Sequence, residues 1–291
     1  MTPALHQLVI AARERFVRAG IPPDQAAIDA EVLARHVLGW DRATYLTRRG
    51  EPLAADFAGR LDRLVSRREL REPVAYITGA REFWGREFVV TSAVLIPRPE
   101  TEFIVEHALR RLPDRARGWH VADVGTGSGC LAVTLAAELP CAVVVATDSS
   151  ADALAIAARN AVRHGVADRV RLAHDSLLDH QPGPFDLIVA NLPYIPRSVE
   201  GSLMTDVRAF EPAGALYGSG EDGLDEIRAL VAQAGARLSA EGTLLLEFGS
   251  GQGDAIAALI AARPDLILLD ILRDLQGHQR TAAIRRAARR G

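Results

Sequence analysis

Lysine is absent from the sequence, and all 34 basic residues are arginine. This absence excludes Schiff-base chemistry, a lysine general base and the phosphate-binding lysine of a P-loop. Cysteine is nearly absent too, since only Cys130 and Cys141 occur, and neither lies in a Cys-x-x-Cys or Cys/His cluster. The sequence therefore indicates neither a zinc site nor a disulfide framework, and we expect two small buried cysteines and no bound metal.

An excess of one charge and long apolar runs are also lacking. The net charge is −3 and the isoelectric point about 6.3, whereas proteins that coat nucleic acid usually show a strong basic excess. No run approaches the roughly 18 apolar residues of a membrane span, and the first segment, MTPALHQLVIAARERF, carries Arg and Glu within its apolar pattern. We expect a cytoplasmic protein with no direct nucleic-acid or membrane partner, and we expect a monomer.

The hydrophobic pattern divides the 291-residue chain into three parts. Residues 1–75 carry apolar side chains at helical spacing only, which predicts a small helical-bundle domain. Residues 76–98 contain the β-rich stretch REFVVTSAVLI beside the turn FWGREF, so we expect a linker with a β-hairpin near residues 81–96. Residues 99–291 form the larger domain, and the stretch PRPETE, at residues 97–102, opens a helix in which Pro99 suits the first turn.

Strands and helices alternate in the larger domain from about Trp119 onward. HVADVG, AVVVATD, VRLAHDS, FDLIVAN and GTLLLEFG have the pattern of strands, and helical segments separate them. Such alternation predicts an α/β fold of Rossmann-like type, with a mostly parallel sheet and helices on both faces. Ligands bind at the carboxyl ends of the strands in such sheets, so the residues that follow each strand are the candidate site.

A glycine loop, DVGTGSGC, follows the first of these strands and precedes a helix. Its glycines are spaced Gly-x-Gly-x-Gly, unlike the Gly-x-Gly-x-x-Gly that fits a dinucleotide pyrophosphate, which disfavours a nicotinamide dehydrogenase. Glycine allows the backbone to approach a ligand closely, although a purely structural turn is an alternative. The candidate ligand-binding residues of the loop are Gly125, Thr126, Gly127, Ser128 and Gly129.

Acidic residues end the next two strands. Asp148 lies about 20 positions beyond the glycine loop, where a carboxylate accepts hydrogen bonds from ribose hydroxyls. Asp175 ends the third strand and would accept a bond from an adenine amino group. A helix N-cap is the alternative for both residues. Because no lysine or arginine accompanies the glycines, the pattern favours a nucleoside ligand without phosphates, and S-adenosylmethionine meets that description.

The stretch FDLIVANLPYIP carries the residues expected to do chemistry. Asn191 offers an acceptor oxygen, and the carbonyl of Leu192, restrained by the fixed φ of Pro193, offers a second. Two acceptors would hold both hydrogens of a planar NH₂ group and turn its lone pair toward a methyl donor, and Tyr194 would supply a flat apolar wall. We therefore predict Asn191, Leu192, Pro193 and Tyr194 as catalytic and substrate-binding residues. A strand-end turn, capped by Asn and stiffened by Pro, is the alternative.

Several of these stretches, together with others, resemble one family. PVAYITGAREFWG, VLIPRPETE, DVGTGSGC, NLPYIP, FEPAGALYGSGEDGL and LLLEFGSGQG are similar to sequences of the release-factor glutamine methyltransferases, the PrmC/HemK family. The resemblance runs from about Arg71 to the end of the chain, and the family also has a helical N-terminal domain. It implies that residues 99–291 form a class I S-adenosylmethionine-dependent methyltransferase domain.

The resemblance also implies a reaction. The enzyme would methylate the side-chain amide nitrogen of the glutamine in the Gly-Gly-Gln loop of peptide chain release factors. S-adenosylmethionine would be the donor, S-adenosylhomocysteine the product, and no metal would take part. By the family pattern the glycine loop, Asp148, Asp175, Ser176 and Asn191 would contact the donor, and Asn191 to Tyr194 would hold the glutamine. The helical domain would dock the release factor.

One residue departs from the family motif Asn-Pro-Pro-Tyr, because Leu192 stands in place of the first proline. The acceptor at this position is a main-chain carbonyl, which leucine also has, so we expect activity to survive with some loss of rigidity. Three alternatives stay open. They are an amino-methyltransferase acting on DNA adenine, one acting on a ribosomal-protein glutamine, and a catalytically silent protein that keeps the donor fold.

Overall fold

The computed structural model describes residues 4–288. The chain forms two compact units. The first contains the residues up to Ala80 together with Met204–Phe210, and the second contains Arg81–Leu203 and the residues from Glu211 onward. The division of labour expected from the sequence, with 1–75 for docking and 99–291 for catalysis, stays a prediction.

The helices and strands are numbered here in chain order. The helices are α1 (Leu5–Arg18), α2 (Pro23–Leu38), α3 (Arg42–Arg48), α4 (Phe57–Glu69), α5 (Val74–Thr78), α6 (Glu102–Arg111), α7 (Cys130–Glu138), α8 (Ala151–Arg163), α9 (Thr205–Phe210), α10 (Ala213–Leu216), α11 (Asp225–Arg237) and α12 (Gly253–Ala261). The strands are β1 (Ala80–Phe83), β2 (Arg86–Val89), β3 (His120–Val124), β4 (Val143–Asp148), β5 (Val170–His174), β6 (Phe185–Ala190), β7 (Leu238–Glu247), β8 (Leu266–Arg273) and β9 (Gln279–Arg286). Short 3₁₀ turns cover Pro99–Thr101 and Arg197–Ser202.

The first unit is helical, as the sequence predicts. Helix α2 ends at Leu38 and is capped by Gly39, which adopts a left-handed conformation with φ of 67° that glycine tolerates without strain. Helix α3 begins after Asp41, whose carboxylate accepts a hydrogen bond from Thr44 N at 2.7 Å. The apolar faces of α1, α2 and α4 meet in one core, in which Phe16 and Phe57 are buried. The helical stretch extends to α5, slightly beyond the predicted limit at residue 75.

A buried ion-pair cluster joins α9 to the rest of this unit, although α9 lies far along the chain. The Arg68 guanidinium contacts Asp29 and Asp206, each at 2.7 Å, and Arg71 contacts Asp206 at 2.5 Å. Only 5% of the Arg68 side chain and 4% of the Asp29 side chain are exposed. Because a buried charge needs compensating partners, this cluster fixes where α9 lies within the first unit.

The second unit contains a seven-stranded sheet with the order β5-β4-β3-β6-β7-β9-β8. Strands β3 to β7 are parallel, and β9 is antiparallel to both β7 and β8. Alternate residues of the central strands enter two separate cores. Val121 and Val189 face the side covered by α6 and α7, whereas Ala122 and Ile188 face the side covered by α11 and α12. The predicted mostly parallel sheet with helices on both faces is confirmed.

The strand order places two predicted site segments side by side. From β3 the chain builds outward through β4 and β5, and it then returns to place β6 on the opposite flank of β3. Val124, the last residue of β3, is paired with Ala190, the last residue of β6. The glycine loop and Asn191 therefore start at the same level of the sheet. This is the topological switch point, where open α/β sheets bind ligands.

The predicted hairpin is present as β1 and β2. Trp84 and Gly85 form its turn with φ of 53° and 66°, as a two-residue hairpin turn requires. The second strand is shorter than the pattern predicts, because it ends at Val89 and residues 90–98 run as an irregular segment. Val90 and Val94 of this segment are nevertheless buried. The hydrophobic residues of this segment are buried one by one in the core. They give the sequence a strand-like pattern, although the backbone does not pair with a neighbouring strand.

The cysteines only partly match the expectation. Cys130, at the start of α7, is half-buried, and burial raises the pKa of its thiol to about 12. Cys141 is exposed, so the prediction of two buried cysteines is wrong for this residue. It follows Pro140 in the turn after α7, outside the packed face of the helix.

Two kinds of feature are absent from residues 4–288. No helix there combines the length and the apolar character needed to cross a bilayer. Over the same residues, no three or more His, Cys, Asp or Glu side chains are grouped so as to hold a metal ion.

Candidate functional site

A cavity of about 690 Å³ opens at the carboxyl ends of β3, β4, β5 and β6. Small-molecule sites in proteins are commonly about 300–1,000 Å³, so the cavity is of the right size for a nucleoside-sized ligand. Ten of the predicted site residues line it: Gly125, Thr126, Gly127, Ser128, Asp148, Asp175, Ser176, Asn191, Leu192 and Pro193.

Two predicted residues lie outside the wall that residues 4–288 form around this cavity. Gly129 is the N-cap of α7, and a Cβ added there would lie 3.1 Å from the Cβ of Ala157, so this glycine allows α7 to approach α8. Tyr194 is half-buried against the core below β6, and its hydroxyl faces Glu247. The roles predicted for Gly129 in donor binding and for Tyr194 as an apolar wall stay predictions.

Backbone hydrogen bonds to β4 hold the glycine loop in place. The amides of Gly125 and Thr126 both donate to the carbonyl of Thr147 at 2.9 Å. Gly125 has φ of 72°, and a Cβ added there would lie 2.9 Å from Cδ2 of Leu192. The Leu192 side chain is thus buried directly over Gly125. Leucine at position 192 therefore fills space against the loop as well as supplying its main-chain carbonyl.

Asp148 braces the glycine loop from the end of β4. Its carboxylate accepts hydrogen bonds from Gly127 N at 2.9 Å and from Ser150 N at 2.8 Å. The N-cap of α8 is Ser150, whose hydroxyl accepts from Ala153 N at 3.1 Å, so the alternative in which Asp148 is the cap is wrong. The ribose contact predicted for Asp148 stays a prediction.

Asp175 is buried and engaged by the turn that follows β5. Its carboxylate accepts from His180 N at 3.0 Å, from His180 Nδ1 at 2.9 Å and from Gln181 Nε2 at 2.8 Å. Burial raises the pKa of Asp175, but these hydrogen bonds outweigh it and hold the pKa below its ordinary value. An ionised carboxylate has about four acceptor positions, so one remains for a ligand in the cavity.

Asn191 belongs to a short hydrogen-bond relay that ends on a buried acid. Its Nδ2 donates to Thr101 Oγ1 at 2.9 Å, and the Thr101 hydroxyl donates to Glu247 Oε2 at 2.8 Å. The Tyr194 hydroxyl donates to the other carboxylate oxygen at 3.4 Å. Thr101 and Glu247 are 3% and 2% exposed. Burial raises the pKa of Glu247 to about 7, and the hydrogen bond from Thr101 opposes that rise.

Asp123 is a second buried acid beside the cavity. Its Oδ2 accepts from Thr126 Oγ1 at 2.6 Å and from Ala132 N at 3.0 Å. Burial raises the pKa of Asp123 to about 7. Its Oδ1 is buried and has no hydrogen-bond partner among the residues that the structure describes. Buried polar atoms in proteins nearly always have a partner, so this oxygen is an unmet hydrogen-bonding position at the edge of the cavity.

The wall suits a cationic nucleoside donor. Asp123, Asp148 and Asp175 place three carboxyl groups around the cavity, whereas Arg98, the one arginine among the described residues that line it, is paired with Glu211 at 2.5 Å. Gly127 adds open space, because nothing lies within 4 Å of a Cβ built there. Acidic side chains and an open glycine backbone fit a sulfonium compound without phosphates, so the residues present are compatible with S-adenosylmethionine.

Residues important for this geometry were not singled out from the sequence. Thr101 and Glu247 lie in the stretches PRPETE and LLLEFG, which carry the family resemblance but contain no obvious catalytic spacing. The available signal was Glu247 itself, an acid that directly follows three leucines at the end of its strand. Glu211 is similar, since its buried carboxylate accepts from Ile96 N at 3.2 Å as well as pairing with Arg98.

Comparison with known families agrees with this architecture. Residues 7–79 match the PrmC N-terminal domain, and residues 101–213 match the methyltransferase small domain. Among solved structures, a methyltransferase from Pyrococcus furiosus has a TM-score of 0.52 at 17% identity, covering 79% of this chain and 99% of that one. The ribosomal protein L11 methylase of Lactobacillus delbrueckii subsp. bulgaricus has a TM-score of 0.50 at 24% identity, covering 68% and 83%. These likenesses concern the fold, and the predicted class I methyltransferase fold is confirmed.

Curated relatives extend the match to nearly the whole chain. The release factor glutamine methyltransferase of Cereibacter sphaeroides is 43% identical over 94% of this chain and 96% of its own length. The enzymes of the same name from Xylella fastidiosa and Deinococcus radiodurans are 44% and 40% identical, over 96% and 97% of this chain and 96% and 99% of their own lengths. At this identity and coverage the relationship is unambiguous, and the chain belongs to the release factor glutamine methyltransferase family.

Proposed function

We propose that the protein transfers a methyl group from S-adenosylmethionine to the side-chain amide nitrogen of the glutamine in the Gly-Gly-Gln motif of peptide chain release factors. Relatives that carry this activity in their name match almost the full length of the chain. The reaction requires a donor site and a grip on a primary carboxamide next to each other, and the segments predicted for these two roles follow the neighbouring strands β3 and β6.

The observation that carries the proposal is the position of Asn191. It lies in the cavity wall beside the glycine loop, and its amide nitrogen donates a hydrogen bond to Thr101. The amide oxygen is therefore the group left for a ligand. A carboxamide substrate has two N–H donors, and an acceptor oxygen is what such a substrate needs.

The chain promotes the reaction by positioning. A glutamine amide nitrogen is a poor nucleophile, because its lone pair is delocalised into the carbonyl group. Asn191 Oδ1 and the carbonyl of Leu192 would accept the two N–H bonds, hold the NH₂ group and localise its lone pair. Orientation of this kind contributes roughly 7–11 kcal/mol in well-aligned systems. The nitrogen loses a proton readily once it is methylated, so no strong base is required.

The donor would be held by the residues at the strand ends. When bound, S-adenosylmethionine supplies a methyl group on a positively charged sulfur and is left as S-adenosylhomocysteine. Asp148 would accept from ribose hydroxyls and Asp175, with Ser176, from the adenine. The glycine loop from Gly125 to Gly129 would let the backbone approach the donor, and Asn191 would contact it as well. No metal is required.

The partner side of the proposal rests on the first unit. We assign the helical residues 1–75 to docking of the release factor, because a short Gly-Gly-Gln loop by itself offers little surface for recognition. The donor and partner are both cytoplasmic in this proposal, and the enzyme acts as a monomer with no nucleic acid or membrane partner.

Mass spectrometry tests this function directly. The purified protein is incubated with S-adenosylmethionine and a release factor, and the Gly-Gly-Gln peptide is analysed for a gain of one methyl group on glutamine. Parallel reactions contain adenine-containing DNA or a mixture of ribosomal proteins in place of the release factor. Methylation of the release factor alone supports the proposal. Methylation of DNA or of a ribosomal-protein glutamine in preference to it, or no turnover with any of them, contradicts it.

A further inference from the structure

We propose that Thr101 and Glu247 are positioning residues that set the direction of the Asn191 amide, so that its oxygen and not its nitrogen faces the substrate. The inference deepens the proposed function and rests on it for the identity of the substrate. It concerns two buried side chains that contact Asn191 directly or through one hydroxyl.

The direction of the relay follows from the number of donors and acceptors. An ionised carboxylate can only accept hydrogen bonds, so the Thr101 hydroxyl must donate its one hydrogen to Glu247. The Thr101 oxygen can then only accept, and Asn191 must present its NH₂ group to it. The amide is planar, with its oxygen opposite its nitrogen, so the oxygen is directed away from Thr101. The carboxylate thereby determines an orientation that Asn191 by itself would not have.

Protonation of Glu247 reverses this order. A neutral Glu247 can donate its own hydrogen to the Thr101 oxygen, and the Thr101 hydroxyl is then free to donate to Asn191. The Asn191 amide is satisfied by accepting that bond with its oxygen, which turns its NH₂ group to the substrate. Two NH₂ groups would face each other, and the substrate amide would lose its acceptor.

Several charged and titratable groups surround Glu247 and influence this equilibrium. Burial raises its pKa to about 7, Arg280 on β9 lowers it and Glu100 raises it. The Tyr194 hydroxyl, a donor to the second oxygen, has its own pKa raised by burial and stays neutral. The thiol of Cys130 is neutral as well, since burial raises its pKa to about 12. Methyl transfer should therefore rise with pH near 7 through an acidic limb set by the ionisation of Glu247, and Asp123, whose pKa burial also raises to about 7, titrates in the same range.

The first experiment compares two variants at position 101. Thr101→Val removes the hydroxyl at nearly constant volume, and we expect kcat for release-factor methylation to fall about 10- to 100-fold, as misorientation of a reacting group does. Thr101→Ser restores the hydroxyl and should recover kcat to within about 3-fold of the wild type. Thr134→Val is the matched control, because Thr134 is also fully buried but lies in α7, outside the cavity wall among the described residues.

The second experiment removes the charge of the acid. Glu247→Gln keeps the shape but no longer forces the direction of the Thr101 bond, so we expect a lower kcat and loss of the acidic limb that Glu247 contributes between pH 6 and 8. Glu241→Gln, on the exposed part of the same strand, should keep both kcat and the limb. Combining Glu247→Gln with Thr101→Val should cost little more than Thr101→Val alone, because the two residues act in series. Additive losses would contradict the relay.

A spectroscopic measurement separates this inference from the proposed function. The side-chain NH₂ resonances of ¹⁵N-labelled Asn191, assigned by their loss in Asn191→Ala, are followed from pH 6 to 8 in the enzyme without a release factor. We expect a shift with a midpoint near pH 7 in the wild type, and no titration in Glu247→Gln or Thr101→Val. Wild-type resonances that do not shift with pH would overturn the inference whatever the substrate is. So would resonances that titrate in Glu247→Gln as they do in the wild type. Failure of wild-type turnover with release factors contradicts only the proposed function.

Discussion

At the scale of single residues, the site depends on where a few hydrogen-bond acceptors are directed. Three of these acceptors belong to residues at strand ends: Asn191, Asp148 and Asp175. Their side-chain oxygens differ in the hydrogen bonds that they already accept within the protein. Asp175 is held by three donors of its own turn, whereas Asp148 is shared between the glycine loop and the start of α8. Replacing these residues should therefore affect different steps.

Asn191→Ala should abolish methyl transfer, with a fall in kcat of about 100-fold or more, because it removes the acceptor that holds the substrate amide. Donor binding should stay mostly intact, since the glycine loop and the aspartates are untouched. Transfer is measured with radiolabelled S-adenosylmethionine and affinity by isothermal titration calorimetry. Near-normal turnover in this variant would show that Asn191 does not grip the substrate.

Asp148→Ala should weaken donor binding instead. A hydrogen bond to a charged group is worth about 1.5–3 kcal/mol, which corresponds to a loss of roughly 10- to 100-fold in affinity. The variant also releases the amide of Gly127, so the loop itself loses a contact. Calorimetric titration with S-adenosylhomocysteine measures the change. Unaltered affinity would assign Asp148 a purely structural role.

Leu192→Pro restores the residue usual in the family and should change the rate modestly, by less than about 10-fold. The carbonyl acceptor is retained, but the side chain that packs over Gly125 is lost. Steady-state kinetics at saturating donor decide the outcome. A large loss would mean that the leucine side chain shapes the cavity, beyond filling space against the loop.

At the scale of secondary-structure elements, two contacts join segments that are distant in the chain. Strands β3 and β6 are neighbours in the sheet although β4, β5 and α8 lie between them in sequence. Helix α9 follows the Asn191–Tyr194 stretch along the chain but belongs to the helical unit. The pairing of β3 with β6 and the ion pairs that hold α9 are long-range contacts, which leave no local trace in the sequence.

Arg68→Leu should destabilise the helical unit by about 3 kcal/mol or more, because Asp29 would keep a buried charge without its partner. Hydrogen exchange of the amides of α2 and α9, followed by mass spectrometry, reports this opening free energy for the unit by itself. The control is Arg18→Leu, whose exposed pair with Glu14 at 4.0 Å should contribute less than about 1 kcal/mol. Equal protection of α9 in the wild type and in Arg68→Leu would show that the ion pairs do not hold it.

At the scale of the whole molecule, two buried acids connect stability to pH. Burial raises the pKa of Asp123 and of Glu247 to about 7 in the folded protein, whereas both carboxyl groups have ordinary, lower pKa values when the chain is unfolded. The folded state therefore binds more protons between about pH 5 and 7. The stabilisation from this binding is fully present below the ordinary carboxyl pKa and is lost as the pH rises through 7.

The free energy of unfolding should consequently decrease from pH 6 to pH 8, by up to about 1.4 kcal/mol per pH unit for each of the two groups. Urea unfolding monitored at pH 6, 7 and 8 measures this slope. Glu247→Gln should flatten it, because one titrating group is gone, whereas Glu241→Gln should not. A wild type that gains stability over this range would contradict the raised pKa values. Relative to pH 6, pH 8 favours ionised Glu247, which the proposed reaction needs, at some cost in stability.

Much of the secondary structure of this molecule can be predicted from local sequence patterns. Strand and helix periods, the turn at Trp84 and Gly85, the cap at Asp41 and the glycine loop are each encoded within a few residues, because backbone conformation and amphipathic faces are short-range properties. The sequence alone therefore determined the helical first unit, the mostly parallel sheet and the two loops at the ends of β3 and β6.

Only the tertiary structure decided what surrounds Asn191. Thr101 lies 90 positions from it, and Glu247 lies 146 positions from Thr101, so their meeting depends on the order in which the strands pack. The same packing removes Glu247 from water and thereby raises its pKa. It also directs the Tyr194 hydroxyl toward Glu247. After Val89, where the sequence predicts a longer strand, tertiary packing gives an irregular segment instead. Burial and long-range contacts are properties of the folded chain, and no spacing within a segment specifies them.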